Sequence, residues 1–380
     1  MTMAEDAADK RSILVMRDEI ATIPDVIAEQ VARLRPALRA LADDIGRGLE
    51  DLVLTGCGDS HYAGIATRLA FQRATGLRVA ATEALEFVRY DVRYIPAEPL
   101  PALIAVSYSG EVGRTIEAAE TARDMGWRTI AFTGRPDGRL ARSVAAPILM
   151  EVPTLGFSPG TSTYVAMLSA LLVLAAELAR VRGRARQADA LDDALARAPD
   201  LARATLALSE EPARRAAELL AQAPASTFIG AGPSRATAAF GAAKLFEGPQ
   251  RHGVVQDLEE WAHEQYFISG PATPVVVVAP AGASRDRAGE LLAEMAFIGA
   301  PSILVSDVVD DAAALSAAVR LPIAAGLDED TSPLLTCLPL AQAAFFVAEW
   351  LGTRSYGFPS VEHEQEHYAT IHRATRGQPA

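Results

Sequence analysis

The strongest constraint on the fold of this chain is an order of strand, turn and helix that occurs twice. The stretch "DLVLTGCGDSHYAGIATRLAFQRATG", which starts at Asp51, combines an apolar strand-like run, a turn with two glycines and a helix-like segment. The stretch "STFIGAGPSRATAAFGAAKLFEG", which starts at Ser226, has the same order. Apolar periodicity and turn residues distinguish strands from helices. The chain therefore has the pattern of a duplication.

The segments that follow each stretch also correspond. After the first come "ALIAVSYSGEVGRTIEAAETARDMG", "RTIAFTG" and "SVAAPILMEV"; after the second come "PVVVVAPAGASRDRAGELLAEMAFIG", "PSILVSD" and "AVRLPI". Strands that alternate with helices predict parallel sheets covered on both faces. We therefore expect an α/β fold in which each half is a doubly wound parallel sheet flanked by helices.

The length and the composition between the halves indicate the domain boundaries. A chain of 380 residues is long enough for two domains, since about 100–200 residues make one. The segment between the halves is rich in Ala, Arg and acidic residues with helical periodicity, and the polar tail after Trp350 holds three of the six histidines. The predicted divisions are an N-terminal helical segment at 1–48, a first domain at 49–182, a helical linker at 183–222, a second domain at 223–350 and a tail at 351–380.

Charge and composition exclude several classes of protein. The net charge of −13 argues against a general affinity for nucleic acid or an anionic membrane. Two cysteines, Cys57 and Cys337, form neither a disulfide framework nor a cysteine-based zinc cluster. The N-terminal residues lack the apolar run of a signal peptide, and the longest apolar tract contains Glu177. We expect a cytoplasmic protein without nucleic-acid or membrane partners.

One turn in the first half has the residues of an anion site. The stretch "SYSGEVGRT" places Ser107 and Ser109 between an apolar strand and a helix-like segment. Backbone N–H groups at a helix N-terminus, assisted by small hydroxyls, attract phosphate. The stretch matches neither GxxxxGK[ST] nor GxGxxG, which disfavours a nucleotide ligand. Taken alone, it is equally well explained as an ordinary turn with an N-cap.

Two further hydroxyl-rich turns favour the anion site. Ser60 follows the first strand in "GCGDSH", and "SPGTSTYV" carries hydroxyls at positions 161–163 ahead of an apolar helix. Ligands of open α/β sheets bind outside the carboxyl ends of the strands. Three such turns in one half therefore predict a shared anion site.

The order of "GCGDS", "EALEF", "SYSGEVGRT" and "GTST" resembles the sugar isomerase (SIS) domain, and the second half resembles a second copy. Together they are similar to the isomerase domain of glucosamine-6-phosphate synthase and to fructosamine-6-phosphate deglycases. The resemblance implies that side chains of these turns bind a sugar phosphate. On this chain they are Ser60, Ser107, Tyr108, Ser109 and Ser162.

The match has two departures. Asp59 and Val112 stand where the synthase-like pattern commonly has threonine. A carboxylate near a dianion costs binding energy unless a cation compensates it. Arg114 is the candidate for that compensation; otherwise the anionic group is a sulfonate or a carboxylate.

A lysine in the second half is unusual for this chain. Lys244 and Lys10 are the only lysines among 35 basic residues. Lys244 and Glu247 lie three apart and so share a face of a helix. A solvated pair of this kind is worth under about 1 kcal/mol, but the flanks "AAFGAA" and "LF" are apolar and predict burial. The resemblance adds a histidine sixteen residues after the glutamate, which is His263.

These three residue types suit a carbonyl shift between C1 and C2 of a sugar. The resemblance implies that Glu247 is the base that moves a carbon-bound proton and that Lys244 stabilises the enediol oxyanion. His263 is then the acid and base for ring opening. We expect no metal and no organic cofactor. His363 and His367 lie at i, i+4 but have no plausible third ligand.

The sequence thus predicts a phosphosugar aldose–ketose isomerase with two SIS domains. Alternatives are a ketosamine-6-phosphate deglycase or amino-sugar phosphate deaminase and, in another class, a non-catalytic regulatory SIS protein that binds a sugar phosphate. No glutamine amidotransferase segment precedes the halves and the tail has no lysine for a Schiff base, so we expect isomerisation or C–N cleavage rather than glutamine-fed synthesis. The resemblance also implies a homodimer with His263 lent by the neighbouring subunit and a tail that closes over the site.

Overall fold

The computed structural model describes residues 12–96 and 98–373. The first eleven residues of the predicted N-terminal segment, which include Lys10, and the last seven of the predicted tail lie outside the described part. Two five-stranded sheets are present, and all of their strand pairs are parallel. The predicted α/β fold with parallel sheets flanked by helices is confirmed.

The first sheet contains strands β1 to β5, and residues of this half are called the first copy. Its strands are β1 Asp51–Gly56, β2 Arg78–Glu83, β3 Ala102–Val106, β4 Arg128–Thr133 and β5 Ile148–Leu149. Its helices are α1 Ile13–Ile45, α2 Asp59–Thr75, α3 Ala84–Glu86, α4 Gly113–Asp124, α5 Arg139–Arg142 and α6 Ser162–Val181, with a π-helical turn at Phe87–Asp91 and a 3₁₀ turn at Val92–Tyr94. Helix α7, Ala185–Gln222, follows.

The second sheet contains strands β6 to β10, and residues of this half are called the second copy. Its strands are β6 Ala225–Gly230, β7 His252–Asp257, β8 Val275–Val278, β9 Ser302–Ser306 and β10 Val319–Pro322. Its helices are α8 Pro233–Glu247, α9 Leu258–His263, α10 Arg285–Phe297, α11 Ala312–Leu315 and α12 Pro333–Leu351, with a 3₁₀ turn at Gln265–Ile268. Helix α13, Val361–His372, ends the described part of the chain.

The two sheets have the same topology. The first has the order β2-β1-β3-β4-β5, and the second, read from β7, has the order β7-β6-β8-β9-β10. In each copy, the strand that comes first along the chain thus lies between the second and the third. The chain runs from it to one side of the sheet and then crosses to the other side, which makes this position a topological switch point. Open α/β sheets bind ligands beyond the carboxyl ends of the strands at such a switch point. The predicted turns follow β1 and β3 and therefore lie at this edge.

Each sheet has its own apolar core. In the first, Val53, Leu103 and Trp127 belong to one buried cluster; in the second, Ile229, Val277 and Trp261 belong to another. Helices α6 and α12 are long and apolar enough to cross a membrane by length and composition, but 89% and 83% of their apolar windows are buried inside the protein. They are core helices, because their burial against protein accounts for their composition.

By internal contacts the described chain forms two compact units. One comprises residues 12–25, 153–162 and 197–357, and the other comprises residues 26–152, 163–196 and 358–373. The first unit holds the whole second sheet together with the loop that carries Thr161 and Ser162. The second unit holds the whole first sheet and the tail helix α13.

Candidate functional site

The turn after the first strand of each copy has one backbone conformation. Gly58 precedes α2 and Gly232 precedes α8, and both have φ 55° and ψ −130°. A positive φ of this size is open to glycine and strained for other residues. The duplication inferred from the sequence therefore extends to the backbone of this turn.

The serine turn of the first copy, residues 107–110, is held by backbone bonds on both sides. Ser107 N donates to Phe132 O at 2.9 Å, and Gly134 N donates to Tyr108 O at 2.9 Å. Gly110 has φ +67°, and a Cβ there would meet Thr133 Oγ1 at 2.9 Å. The turn is thus fixed before any ligand arrives, which lowers the cost of ordering it on binding.

Three buried hydroxyls in the predicted anion turns have no hydrogen-bond partner among the described residues. They are Ser107 Oγ, Thr161 Oγ1 and Ser162 Oγ, and their residues are 2%, 1% and 0% exposed. A buried hydroxyl without a partner costs about 1–3 kcal/mol. An acceptor oxygen of a ligand would remove that cost at each of these hydroxyls.

Ser60 lies in the first turn of α2 and is 8% exposed. Its hydroxyl is 3.4 Å from Met167 Sδ, a weak acceptor. Asp59 is the first residue of the same helix and is half-buried. A carboxylate at a helix N-terminus is stabilised by the helix dipole, which gives Asp59 a structural reason to be here.

The remaining predicted binding residues already have protein partners. Tyr108 Oη exchanges hydrogen bonds with Val152 N and Val152 O, both at 3.2 Å. Ser109 is exposed, and its Oγ accepts from Glu111 N at 3.4 Å. The Arg114 guanidinium pairs with Glu117. Direct contact of these three side chains with a ligand stays a prediction.

Helix α13 of the predicted tail packs on α4 of the first copy. Arg139 Nη2 donates to His372 O at 2.6 Å, and Arg114 Nη2 donates to Arg373 O at 2.8 Å. Two guanidinium groups thus bind carbonyls at the C-terminal end of α13, where cations are favoured. Arg139 also pairs with Glu111 at 2.7 Å, in the segment that follows the serine turn.

The thiol of Cys57, in the turn after β1, is protonated at neutral pH. Burial, followed by a hydrogen bond to Glu83, raises its pKa to about 12. Cys57 Sγ lies 3.1 Å from Glu83 Oε1. The other carboxylate oxygen, Glu83 Oε2, accepts from Leu85 N at 2.8 Å. Glu83 therefore caps α3 and holds the thiol proton in one arrangement.

In the second copy, Lys244 and Glu247 form a buried ion pair at the end of α8. Lys244 Nζ lies 2.5 Å from Glu247 Oε2, and the two side chains are 0% and 26% exposed. Lys244 Nζ also lies 4.9 Å from the centre of the Phe240 ring. A buried ammonium needs a partner, because leaving it alone in the interior costs several kcal/mol. The carboxylate of Glu247 is the part of the pair that reaches the surface.

The backbone of Glu247 is tied to the loop that carries Thr161 and Ser162. Tyr356 N donates to Glu247 O at 2.7 Å. The ring of Tyr356 lies 4.9 Å from that of Phe157, centre to centre. Phe157 precedes the hydroxyl pair by a few residues on the same loop. Neither aromatic residue was singled out from the sequence, because only the fold brings positions 157 and 356 together.

The same loop is anchored to helix α1 by a buried carboxylate. Glu19 is 5% exposed. Its side chain accepts from Ser158 Oγ and, at 3.3 Å, from Leu155 N. Burial raises the pKa of Glu19, although both hydrogen bonds oppose the rise. The hydroxyl-bearing loop is therefore fixed at both sides, by Glu19 and by the Phe157 ring.

His263 lies at the end of α9 on the surface of its unit. Its side chain is 65% exposed, and Nε2 is 3.2 Å from Glu259 Oε1. Glu259 also pairs with Arg287 at 2.7 Å. The predicted catalytic role of His263, supplied to a neighbouring subunit, stays a prediction. Its exposure leaves the ring accessible to a second chain.

The second copy has a turn equivalent to the serine turn, but this turn is filled. Ala279 N donates to Val305 O at 3.0 Å, as Ser107 N does to Phe132 O, so "APAG" at 279–282 corresponds to "SYSG" at 107–110. Carboxylates of the chain itself bind its amides: Ala281 N donates to Asp307 Oδ1 at 2.7 Å and Ala283 N to Glu329 Oε1 at 3.3 Å.

The described residues contain no group of three or more His, Cys, Asp or Glu side chains placed to hold a metal ion. His363 lies near Ser360, with Nδ1 2.8 Å from Oγ. His367 packs against Phe358, with ring centres 5.4 Å apart. The expectation of no metal and no cofactor stays an expectation.

Comparison with known proteins identifies the first copy. Residues 50–177 match the family model described as the SIS domain. This part of the chain is therefore similar to SIS domains.

The chain is similar to one class of enzyme in particular. It is 28% identical over 351 residues to a glutamine–fructose-6-phosphate aminotransferase (isomerizing) of Thermococcus kodakarensis, covering 92% of this chain and 56% of that protein. The chain thus spans about half the length of the curated relatives it matches.

Two solved structures show the same fold across both copies. The C-terminal domain of glucosamine-fructose-6-phosphate aminotransferase from Francisella tularensis superimposes with a TM-score of 0.79 at 18% identity, over 90% of this chain and 98% of that one. Tagatose-6-phosphate ketose/aldose isomerase from Escherichia coli superimposes with a TM-score of 0.73 at 16% identity, over 89% and 93%. At these identities the likeness concerns the fold alone.

Proposed function

We propose that this chain is an aldose–ketose isomerase of a phosphorylated sugar or amino sugar, built from two SIS domains. In this proposal the second copy is also a SIS domain, which its sheet order supports. The hydroxyls of Ser60, Ser107, Ser109 and Ser162 bind the phosphate, and Glu247 is the catalytic base.

The observation that carries the proposal is the buried Lys244–Glu247 pair. A structural surface pair leaves both groups in water, whereas here the ammonium is wholly enclosed and the carboxylate is partly open. A base that removes a carbon-bound proton has to be reachable by substrate and held in one orientation. Glu247 meets both conditions, since Lys244 Nζ fixes its side chain and Tyr356 N binds its carbonyl.

The reaction follows from this arrangement. The open-chain aldose loses the proton on C2 to the Glu247 carboxylate, and the electron pair forms the C1–C2 double bond of an enediolate. A proton moves from the C2 hydroxyl to O1, and Glu247 returns its proton to C1, which leaves the carbonyl at C2. No atom is lost, so the step needs no oxidant or co-reactant.

Lys244 acts through Glu247 in this proposal. Its side chain is 0% exposed, so the ammonium lies behind the carboxylate as seen from the surface. It keeps the base ionised and oriented before proton transfer. Stabilisation of the enediolate oxygen then falls to groups that the ligand can touch, among them the hydroxyls of the anion turns.

We also propose that the chain works as a homodimer formed through the β7 side of the second sheet. Strand β7 is an edge strand. Large apolar side chains are exposed on it and on the adjoining elements: Phe246, Val254, Val255, Phe267 and Ile268, between 36% and 79%. An edge strand with such a surface is usually covered. A second subunit placed here would bring its own His263 toward this chain.

Exchange of the C2 proton tests the role of Glu247. In deuterated water, wild-type protein incubated with fructose 6-phosphate and glucosamine 6-phosphate should incorporate deuterium at the reacting carbon, as followed by NMR. Glu247→Gln should lower the rate by at least about a thousandfold, the scale of lost general-base catalysis. Wild-type exchange in the variant would remove Glu247 from the mechanism.

The same screen separates the alternative functions. Ketosamine 6-phosphates that release an amine would favour a deglycase, and release of ammonia from an amino-sugar phosphate would favour a deaminase. Tight binding of a sugar phosphate with no exchange in any substrate would favour a non-catalytic sensor.

Mixing variants tests the shared site. Glu247→Gln and His263→Ala proteins, each inactive alone, should regain activity after subunit exchange, because half of the sites in a mixed dimer have both residues intact. Exchange is verified by native mass spectrometry. If subunit exchange is verified and the mixture is no more active than the separate variants, each subunit uses its own histidine.

A further inference from the structure

A basic cavity opens at the amino-terminal edge of the first sheet, opposite the edge with the serine turn. Its volume is about 390 Å³, and three arginines line it, Arg47, Arg182 and Arg184. The rest of the lining is small: three glycines, Thr75 and Val181. No carboxylate lines the cavity, in a chain whose net charge is −13.

The three guanidinium groups have no acidic partner among the described residues. Nearby arginines are paired: Arg78 with Asp51 at 2.6 Å and Arg180 with Asp192 at 2.7 Å. Arg47 is exposed and makes no hydrogen bond or ion pair with the described part of the chain. The positive charge of this cavity is therefore uncompensated.

Two of the arginines are held in place by neutral groups. Arg182 Nε donates to Thr75 O at 2.8 Å, and its Nη1 donates to Leu49 O at 2.6 Å. Arg184 Nη2 donates to Arg73 O at 3.1 Å. Carbonyls orient these side chains without neutralising them, so little conformational entropy remains to be lost when an anion binds.

One donor in this group is buried and unused. Arg184 Nε has no hydrogen-bond partner among the described residues. A buried charged donor without an acceptor is costly. The Nε atom is closed to solvent, so a ligand in the cavity would bind the terminal N–H groups of Arg184 rather than Nε.

The helix ends nearby oppose an anion, but less strongly than the arginines favour it. Helices α1, α2 and α6 end at Ile45, Thr75 and Val181, beside the cavity. Each helix C-terminus carries roughly −0.5 charge, so three together contribute about −1.5. Three guanidinium groups outweigh this sum, which leaves a net positive site.

We propose that this cavity is a second anion site that binds a small, multiply charged phosphate compound. Three guanidiniums match the charge and the forked geometry of phosphoryl oxygens. The lining has no aromatic side chain on which a base would stack, so the ligand is inorganic pyrophosphate or a phosphorylated sugar-sized molecule rather than a nucleotide. The cavity lies at the opposite edge of the sheet from the serine turn, so this second anion site does not depend on the proposed function.

The Ser107→Ala/Ser109→Ala substitutions reduce binding at the serine turn, and calorimetric titration of the arginine variants in this background then reports on the cavity. Inorganic phosphate, pyrophosphate and a hexose 6-phosphate serve as separate probes. We expect pyrophosphate or the hexose phosphate to bind, and Arg47→Ala or Arg184→Ala each to weaken that binding about tenfold, the value of one charge-assisted bond. Arg186→Ala is the matched control, since Arg186 is exposed and outside the cavity, and should change affinity less than about twofold.

Circular dichroism and thermal unfolding establish that each variant is folded. Arg47→Gln repeats the test at this surface position with an uncharged side chain that is longer than that of alanine. Absence of binding by all three probes in the folded Ser107→Ala/Ser109→Ala protein would overturn the proposal. Equal binding by the Arg47 and Arg184 variants and the Arg186 control would also overturn it. Preference for the hexose phosphate over pyrophosphate would assign the ligand to phosphate esters.

Discussion

The two copies share a sheet order and the backbone of their first turn, and they differ in where their candidate functional residues lie. Counted from Gly58 and Gly232, position twelve is Ala70 in α2 and Lys244 in α8. Ala70 and Lys244 are both fully buried. The same helix position thus holds a methyl group in one copy and an ammonium in the other.

The turns after β3 and β8 show the reverse difference. Ser107 and Ser109 in the first copy correspond to Ala279 and Ala281 in the second, as the backbone bonds to Phe132 and Val305 show. In these two turns the hydroxyls are therefore in the copy that lacks the ion pair. The serine hydroxyls of this turn and the Lys244–Glu247 pair thus belong to different copies.

The largest expected effect comes from breaking the ion pair in the second copy. Glu247→Leu leaves the buried Lys244 ammonium without a carboxylate and should lower the free energy of unfolding by about 3–5 kcal/mol. Adding Lys244→Met should recover most of the loss, since a buried pair is replaced by apolar groups of similar size. Urea unfolding measures both.

The first copy supplies the control for this experiment. Arg73 is the counterpart of Glu247 and is exposed, so Arg73→Leu should change the free energy of unfolding by less than about 0.5 kcal/mol. A large loss of stability in Arg73→Leu would mean that the Lys244–Glu247 ion pair is not what distinguishes the copies. A Glu247→Leu/Lys244→Met protein no more stable than Glu247→Leu would mean the same.

A smaller effect is expected from substituting serine by alanine in the first turn and alanine by serine in the second. Ser107→Ala should weaken binding of a hexose phosphate by about tenfold, through one lost charge-assisted hydrogen bond, and leave the unphosphorylated hexose unaffected. Ala279→Ser should create no new site, because Asp307 and Glu329 already occupy the amides of that turn. Isothermal titration of both variants checks this. Equal weakening of the binding of the hexose phosphate and of the unphosphorylated hexose would indicate a packing defect instead.

The smallest effect concerns the tail helix, which packs on the first copy. Burial, with a contribution from Arg139, lowers the pKa of His372. Undocked, His372 protonates near its ordinary pKa of about 6.5, while the docked ring stays neutral to lower pH. Docking is therefore fully favourable above pH 6.5 and weakens as pH falls below that value.

Hydrogen exchange of the α13 amides at pH 7.0 and 5.5, corrected for intrinsic rates, measures this change. We expect a decrease in protection at the lower pH, and His372→Asn should abolish the difference. A helix α13 whose protection is independent of pH in the wild type would contradict the assignment.

The fold was largely predictable because buried parallel strands and glycine turns leave a strong pattern. The apolar runs of β3 and β8 and the glycines at 58 and 232 are of this kind. Strands β2 and β7 were not picked out from the sequence. Their exposure gives them mixed polar sequences, "RVAATE" and "HGVVQD", that resemble loops.

For the candidate site, the burial of Lys244 was predictable from the sequence, and the side-chain contacts were not. The apolar flanks of Lys244 indicated burial, and the structure places its side chain inside. The partners of Tyr108 and Arg114 depend on Val152 and Glu117, and the filling of the second turn depends on Glu329, which lies 47 positions beyond Gly282. Long-range contacts of this kind have no local sequence signal.

The protonated state of Cys57 determines how the first turn behaves toward oxidants. With a pKa of about 12, only about one thiol in a hundred thousand is ionised at pH 7, and the thiolate is the species that reacts with peroxides and alkylating agents. Burial, together with the hydrogen bond to Glu83, thus makes the Cys57 thiol unreactive. Oxidative stress in the cell, or storage in air without a reducing agent, should leave this turn unmodified.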